Sequence, residues 1–295
     1  MPGMAASSRV GRGRLGPADW VVLGYDLLAL AAVAASSLPG RGRWIGFHLL
    51  VLAAVPVLAT VRSGRFGEWL HLWYPVLLLP WLYGEAGALR HLFVAADLDP
   101  LIAGWDGALF PPWYLTLPPR LPVAALEALH AVYFSYYLLL TLPGMLVARA
   151  RREIVREYVF VLTLVMLAHF LLALALPVSG PVALRHGVMP GGWLFIPLMN
   201  HLYGAFDRGG LAFPSTHAAA ALVAGFYAGR LYPRRRLLFA LWVLGIAAST
   251  VLCTYHYTLD AVVGLATGAA GLAAGQLVWR RWCGGGVAPA AGRDR

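Results

Sequence analysis

The apolar positions of the chain fall into long blocks, separated by short turns that carry arginine, glycine and proline. Blocks at 20–37, 44–61, 121–147 and 158–178 have the length needed to cross a hydrocarbon core about 30 Å thick at roughly 1.5 Å of rise per residue. A shorter one at 69–83 is flanked by Arg62, Arg65 and Glu68 on one side and Glu85 on the other. After His217 come about 16 mostly apolar residues, then a turn with Arg230 and Pro233 to Arg236, then about 18 more before His256. A last block occupies 257–278. The pattern predicts an all-α, polytopic transmembrane helix bundle of about eight spans.

Two segments do not fit the spanning pattern. Residues 97–119 are too polar and proline-rich to cross, yet Leu98, Leu101, Ile102, Trp105 and Leu109 recur at helical spacing, which predicts an amphipathic helix in the membrane interface. Such a helix packs over the bundle or acts as a lid that guides a lipid, and the pattern leaves both open. Residues 179–214 are rich in glycine and proline, and loops of that length are usually functional or disordered. The small residues Ala34 to Ser37 imitate a signal-peptide cleavage site, but an equally apolar block follows, so the first block is read as an anchor. The chain then divides into a disordered cytoplasmic tail (1–19), N-terminal spans with the interfacial helix (20–119), a catalytic membrane core (120–282) and a second tail (283–295).

Composition narrows the class. With 60% hydrophobic and 12% charged residues, a soluble globular fold is excluded. The net charge of +10 comes from arginine, since all 23 basic residues are arginine. No basic run is interleaved with aromatics, so nucleic acid is not an expected partner. Arginine placement sets orientation: with both termini inside, 17 arginines fall on inner segments and six on outer ones. The expected location is a bacterial plasma membrane. Cys253 and Cys283 fall at opposite ends of the predicted bundle, so no disulfide is expected.

Two polar passages stand out against this background, Phe213-Pro214-Ser215-Thr216-His217 and Thr254-Tyr255-His256-Tyr257-Thr258-Leu259-Asp260. The hairpin between them returns His217 and His256 to the same side, the non-cytoplasmic one by the arginine count. Ionisable groups at membrane depth are costly and count as functional candidates. His256 and Asp260 are spaced i and i+4, so the carboxylate can hold one ring nitrogen while the other attacks, and His217 can protonate a leaving group. Ser215 and Thr216 follow the pattern of a helix start, where free backbone N–H groups favour a phosphate. Taken singly, the His-Asp pair reads as a structural hydrogen bond and Pro-Ser-Thr-His as a helix start with a satisfied histidine. Their joint placement favours phosphoryl transfer. The three side chains could also bind zinc, but no further acidic cluster accompanies them.

At these residues, over roughly 176–271, the chain resembles the type 2 phosphatidic acid phosphatase superfamily, with its Ser-x-His and later Ser-Arg-x5-His-x3-Asp motifs. Ser215-Thr216-His217 matches the first. Ser249, His256 and Asp260 match the second, with Thr250 in place of the arginine. Phe-Pro-Ser-x-His together with Ser-Thr-x5-His-Tyr-x2-Asp is similar to the inositolphosphotransferase branch, which includes inositol phosphorylceramide synthases. The resemblance implies a metal-independent enzyme without cofactor. It would pass a phosphoinositol-type head group from a phospholipid donor to a lipid alcohol acceptor through a phosphohistidine on His256. A lipid phosphate phosphatase acting on phosphatidic acid or a polyprenyl phosphate is the alternative, and a non-catalytic membrane protein a more remote one. The superfamily usually supplies a lysine and two arginines to the phosphate. This chain has no lysine, which leaves Arg185 and Arg208, with Ser215, Thr216 and Thr250 as neutral donors.

Overall fold

The computed structural model describes residues 15–60, 64–147 and 150–284. Among them are twelve α-helices: α1 (Pro17–Ala35), α2 (Arg41–Thr60), α3 (Gly64–Ala88), α4 (Asp99–Leu109), α5 (Trp113–Thr116), α6 (Val123–Val147), α7 (Arg152–Ala175), α8 (Arg185–Val188), α9 (Phe195–Phe206), α10 (Thr216–Leu231), α11 (Arg236–Leu252) and α12 (Thr258–Gly284). Every predicted block is a helix, and the described residues hold no strand beyond an isolated bridge between Val178 and Leu211. Six helices are long and apolar enough to cross a membrane: α1, α2, the first part of α6, α7, α11 with the turn before it, and α12. The sequence pattern had also counted α3 and α10 as spans. α3 carries Pro75 and Pro80 together with charged residues, and α10 is only 16 residues long.

α10 occupies the centre, packed against α6, α7, α11 and α12. Ala218 to Ala221 are fully buried because neighbours pack on every side of this part of the helix, so a short alanine-rich stretch does what an amphipathic one could not. The outer helices show the reverse pattern. On α11, Leu237, Leu241 and Leu244 point outward, as expected where the solvent is hydrocarbon. Close approach of α12 to α10 depends on Gly264 and Gly268: a Cβ at Gly264 would lie 2.5 Å from the Ser215 carbonyl oxygen, and one at Gly268 2.7 Å from Ala219 Cα. Small residues four apart let two helix backbones meet, here at the first turn of α10.

The N-terminal helices join this core through α7. Buried among them, His48 of α2 links two carboxylates, with Nδ1 2.8 Å from Asp26 of α1 and Nε2 2.5 Å from Glu85 of α3. α1 starts at Pro17, with the Asp19 carboxylate accepting the Gly16 N–H at 2.6 Å, so the predicted tail ends before residue 17. Residues 1–14, 61–63, 148–149 and 285–295 lie outside the described residues, and with them Arg62, Arg149 and the tail arginines used in the orientation count.

Buried carboxylates fix both non-spanning segments. On α4 the apolar residues Leu101, Trp105 and Leu109 point outward, while Ile102 and Asp106 face in. Polar bonds decide this, because carboxylates on the inner face satisfy backbone donors that would otherwise be buried unpaired. Asp106 accepts the Leu259 N–H at 2.7 Å, and Asp99 accepts the N–H groups of Ser179 and Gly180, each at 2.8 Å. The 179–214 segment is ordered by the same means. Glu127 of α6 accepts the N–H groups of Trp193, Leu194 and Phe195, so a carboxylate holds the N-terminus of α9.

Candidate active site

The turn from α11 to α12 aims His256. The Thr250 carbonyl accepts the N–H groups of both Tyr255 and His256, and Thr254 has a φ of 59°, a left-handed conformation that a β-branched residue rarely adopts. Its hydroxyl donates to the Tyr114 carbonyl at 2.7 Å, which anchors the turn to α5. His256 therefore precedes α12 instead of lying on it. Its ring Nδ1 is 3.0 Å from the Ala212 carbonyl and 3.5 Å from Asp260 Oδ2. The carbonyl is thus the nearer acceptor, and it fixes the tautomer with the proton on Nδ1. Asp260 Oδ2 also accepts the Tyr257 N–H at 2.8 Å, the N3-carboxylate half of a capping box, so one side chain both starts α12 and faces the imidazole.

Nε2 of His256 is left toward α10, 3.4 Å from Ser215 Oγ. Ser215 is the N-cap of α10: its hydroxyl accepts the Ala218 N–H, and its own N–H donates to the Asp260 carbonyl at 2.9 Å. Thr216 is the first residue of that helix and is buried. At the next position, the His217 ring centroid lies 5.7 Å from that of His256, with Tyr133 and Tyr136 of α6 packed against it at 5.2 and 4.9 Å. Beside this group opens a cavity of about 610 Å³ whose walls include Arg185, Asn200, Tyr203, Asp207 and Tyr255. A narrow crevice lined by Tyr203, Asp207, Tyr255 and Ala212 leads on to His256.

The family model described as the PAP2 superfamily matches residues 102–274, more than half of the chain and the whole of this site. The chain belongs to the PAP2 superfamily. Members of the superfamily are generally phosphatases or phosphotransferases acting on lipid phosphates. No match was found among characterised proteins or among solved structures.

In this PAP2 superfamily chain the residues expected to meet the phosphate are placed unequally. Arg185 is buried, with its guanidinium over the Tyr255 ring at 3.8 Å, Nη1 donating to the Cys253 carbonyl and Nη2 to Asn200 Oδ1 at 2.8 Å. A guanidinium has five N–H donors, so these bonds leave it others for an anion. Arg208 is exposed and does not line the cavity, although its neighbours Asp207 and Gly209 do. Thr250 is buried with its hydroxyl proton committed to the Ala247 carbonyl at 2.7 Å; what it offers the site is its backbone carbonyl.

Several residues at the site carried no signal in the motifs. Tyr133 and Tyr136 pack on the His217 ring from α6. Tyr203 stacks on Tyr255 with centroids 4.1 Å apart and pairs its hydroxyl with that of Tyr133. Asp207 lines both the cavity and the crevice, and Oδ1 accepts the Gly209 N–H at 2.8 Å. Burial pushes its carboxyl above the usual carboxylate range, partly offset by that N–H. The one available hint was position: Asp207 lies ten residues before His217 in the loop leading into the first motif.

Proposed function

We propose that the protein is a membrane phosphotransferase that moves a phosphoinositol-type head group from a phospholipid to a lipid alcohol through a phosphohistidine on His256. The observation that carries this reading is the meeting of the two histidines. His256 has Nδ1 held by Ala212 and Asp260, which leaves the Nε2 lone pair available, and His217 stands one ring contact away. In the first step Nε2 attacks phosphorus, the bond from phosphorus to the diacylglycerol oxygen breaks, and His217 delivers a proton to that oxygen. Asp260 offsets the positive charge that grows on the imidazole. Free N–H groups in the first turn of α10, with Ser215, Thr216 and Arg185, surround the phosphoryl oxygens. In the second step the acceptor hydroxyl attacks phosphorus, the bond to Nε2 breaks, and the proton passes to His217.

The Ser249-Thr250 form of the second motif favours transfer within this scheme, because it resembles the inositolphosphotransferase branch. The six outer arginines, against 17 inner ones, favour a site on the non-cytoplasmic face of a bacterial plasma membrane. The test is a lipid exchange. Purified protein given phosphatidylinositol and a hydroxyl-bearing lipid should form a new phosphoinositol lipid and diacylglycerol, and His256→Ala should form neither. Release of inorganic phosphate from phosphatidic acid or a polyprenyl phosphate, with no acceptor-dependent product, would make the protein a phosphatase using the same residues.

A further inference from the structure

The 610 Å³ cavity and the crevice that reaches His256 share six lining residues: Ser179, Val182, Tyr203, Asp207, Gly209 and Tyr255. Their polar groups are unequally available. The Ser179 hydroxyl is committed to Asp97 at 2.6 Å, and the Tyr203 hydroxyl is paired with Tyr133. Asp207 is the single carboxylate of the six. Its Oδ1 holds the Gly209 N–H and Tyr83 is a further hydrogen-bond partner, yet a carboxyl group accepts at about four lone-pair positions.

We infer that this cavity is the head-group site, and that Asp207 at its throat hydrogen-bonds the hydroxyls of a polyhydroxylated, cyclitol-like head group, selecting such lipids over those with a bare phosphate. The inference rests on the reading above in which His256 attacks the lipid phosphorus. A quaternary ammonium head group is disfavoured on the same geometry. One face of Tyr255 is covered by the Arg185 guanidinium and its ring is stacked on Tyr203, so no open aromatic cage exists, and the arginine charge repels a cation. Neutral hydroxyls suit what is present. Asn200 spends its carbonyl on Arg185, which leaves its amide N–H donors, and Arg185 keeps spare donors of its own. Hydroxyl groups can bridge such donors and the Asp207 acceptor. Tyr83, Arg90 and His256 are the other titratable or charged groups that act on it.

Binding separates this inference from the catalytic reading. Calorimetry on the detergent-solubilised full chain would compare myo-inositol 1-phosphate, inorganic phosphate and free myo-inositol. Wild type should bind the inositol phosphate at least tenfold more tightly than either of the others, since a hydrogen bond to a charged group changes affinity by roughly 10- to 100-fold. Asp207→Ala should reduce the inositol phosphate to the affinity of phosphate. Asp207→Asn, which keeps an acceptor for the Gly209 N–H and so protects the turn, should fall between them. In turnover, both variants should raise KM for phosphatidylinositol far more than they lower kcat. Equal binding of inositol phosphate and phosphate by wild type, or an unchanged preference in Asp207→Ala, would overturn the inference. Free inositol binding as tightly as its phosphate would overturn it too, by making the cavity a site for a free polyol. His256→Ala should keep the binding preference while losing turnover; turnover retained in that variant would sink the mechanism and leave the binding result standing.

Discussion

Replacing Gly264 by alanine would test whether the two histidines owe their spacing to helix contact. The new Cβ would sit 2.5 Å from the Ser215 carbonyl oxygen and 3.0 Å from both Ser215 N and Cβ. Carbon and oxygen in ordinary contact lie well beyond 3 Å, so α10 and α12 must part by roughly 0.5–1 Å at this level. The obstacle is backbone, which cannot rotate away. The affected residue is the N-cap of α10, which donates its N–H to Asp260 and stands 3.4 Å from His256 Nε2. Overpacking of this kind costs about 1–3 kcal/mol of stability, and a shift of about 1 Å in reacting groups costs on the order of 10²-fold in rate. Gly264→Ala should therefore lower the melting temperature by a few degrees and kcat by about 10- to 100-fold. Gly275→Ala serves as the control. Its Cβ would lie 2.9 Å from Val161 Cγ2, a side chain that can shift, and nearly five turns of α12 separate it from the start of the helix. That variant should keep its turnover. Melting in detergent and lipid-phosphate turnover would be read on both proteins. Gly264→Ala with turnover within threefold of wild type at an unchanged melting temperature would refute the argument that this contact sets the site.

Removal of the Asp106 carboxylate strands the Leu259 N–H, so Asp106→Ala should cost about 1–3 kcal/mol and Asp106→Asn much less, as read by thermal melting and by loss of turnover at the start of α12. His48→Leu alone leaves Asp26 and Glu85 buried without their shared imidazole and should destabilise by about 3–5 kcal/mol, whereas the triple replacement of Asp26, His48 and Glu85 by leucine should be near neutral; a triple variant as unstable as the single one would contradict this. On a cysteine-free background, a membrane-impermeant thiol probe should label a cysteine at Gly187 in intact cells and one at Arg234 only after permeabilisation, and the opposite pattern would reverse the orientation drawn from the arginines.

Much of the fold could be read along the chain because membrane helices satisfy their backbone internally and declare themselves by length and apolarity. All eight predicted blocks are helices, and the hairpin brings the two histidine motifs together as their spacing implied. The candidate site residues were legible for a related reason: His217, His256 and Asp260 are polar residues in apolar surroundings, each within a short motif. What local pattern could not supply was the partner of each group. The i, i+4 spacing pointed to Asp260 as the holder of His256, but the nearer acceptor is the carbonyl of Ala212, 44 residues earlier. Backbone carbonyls have no sequence identity, so no motif reports them.

Charge and amphipathicity were similarly blind to tertiary choice. Arg185 and Arg208 were equivalent loop arginines in the sequence; packing buried one over Tyr255 beside the cavity and left the other exposed. The stripe on α4 marked the helix as amphipathic, but not which groups its polar face would meet: Asp99 and Asp106 find unpaired N–H groups on the neighbouring loop and helix. Tyr203 sits on α9, whose N-terminus is held by Glu127 of another helix, across more than sixty residues of chain, and Asp207 follows that helix directly. The sequence by itself determined which segments are helices and which side chains are candidates for chemistry, since both follow from local hydropathy and residue type. Which groups meet was decided by the tertiary structure, because hydrogen bonds to backbone and the close approach of small residues depend on distances that no single stretch of chain contains.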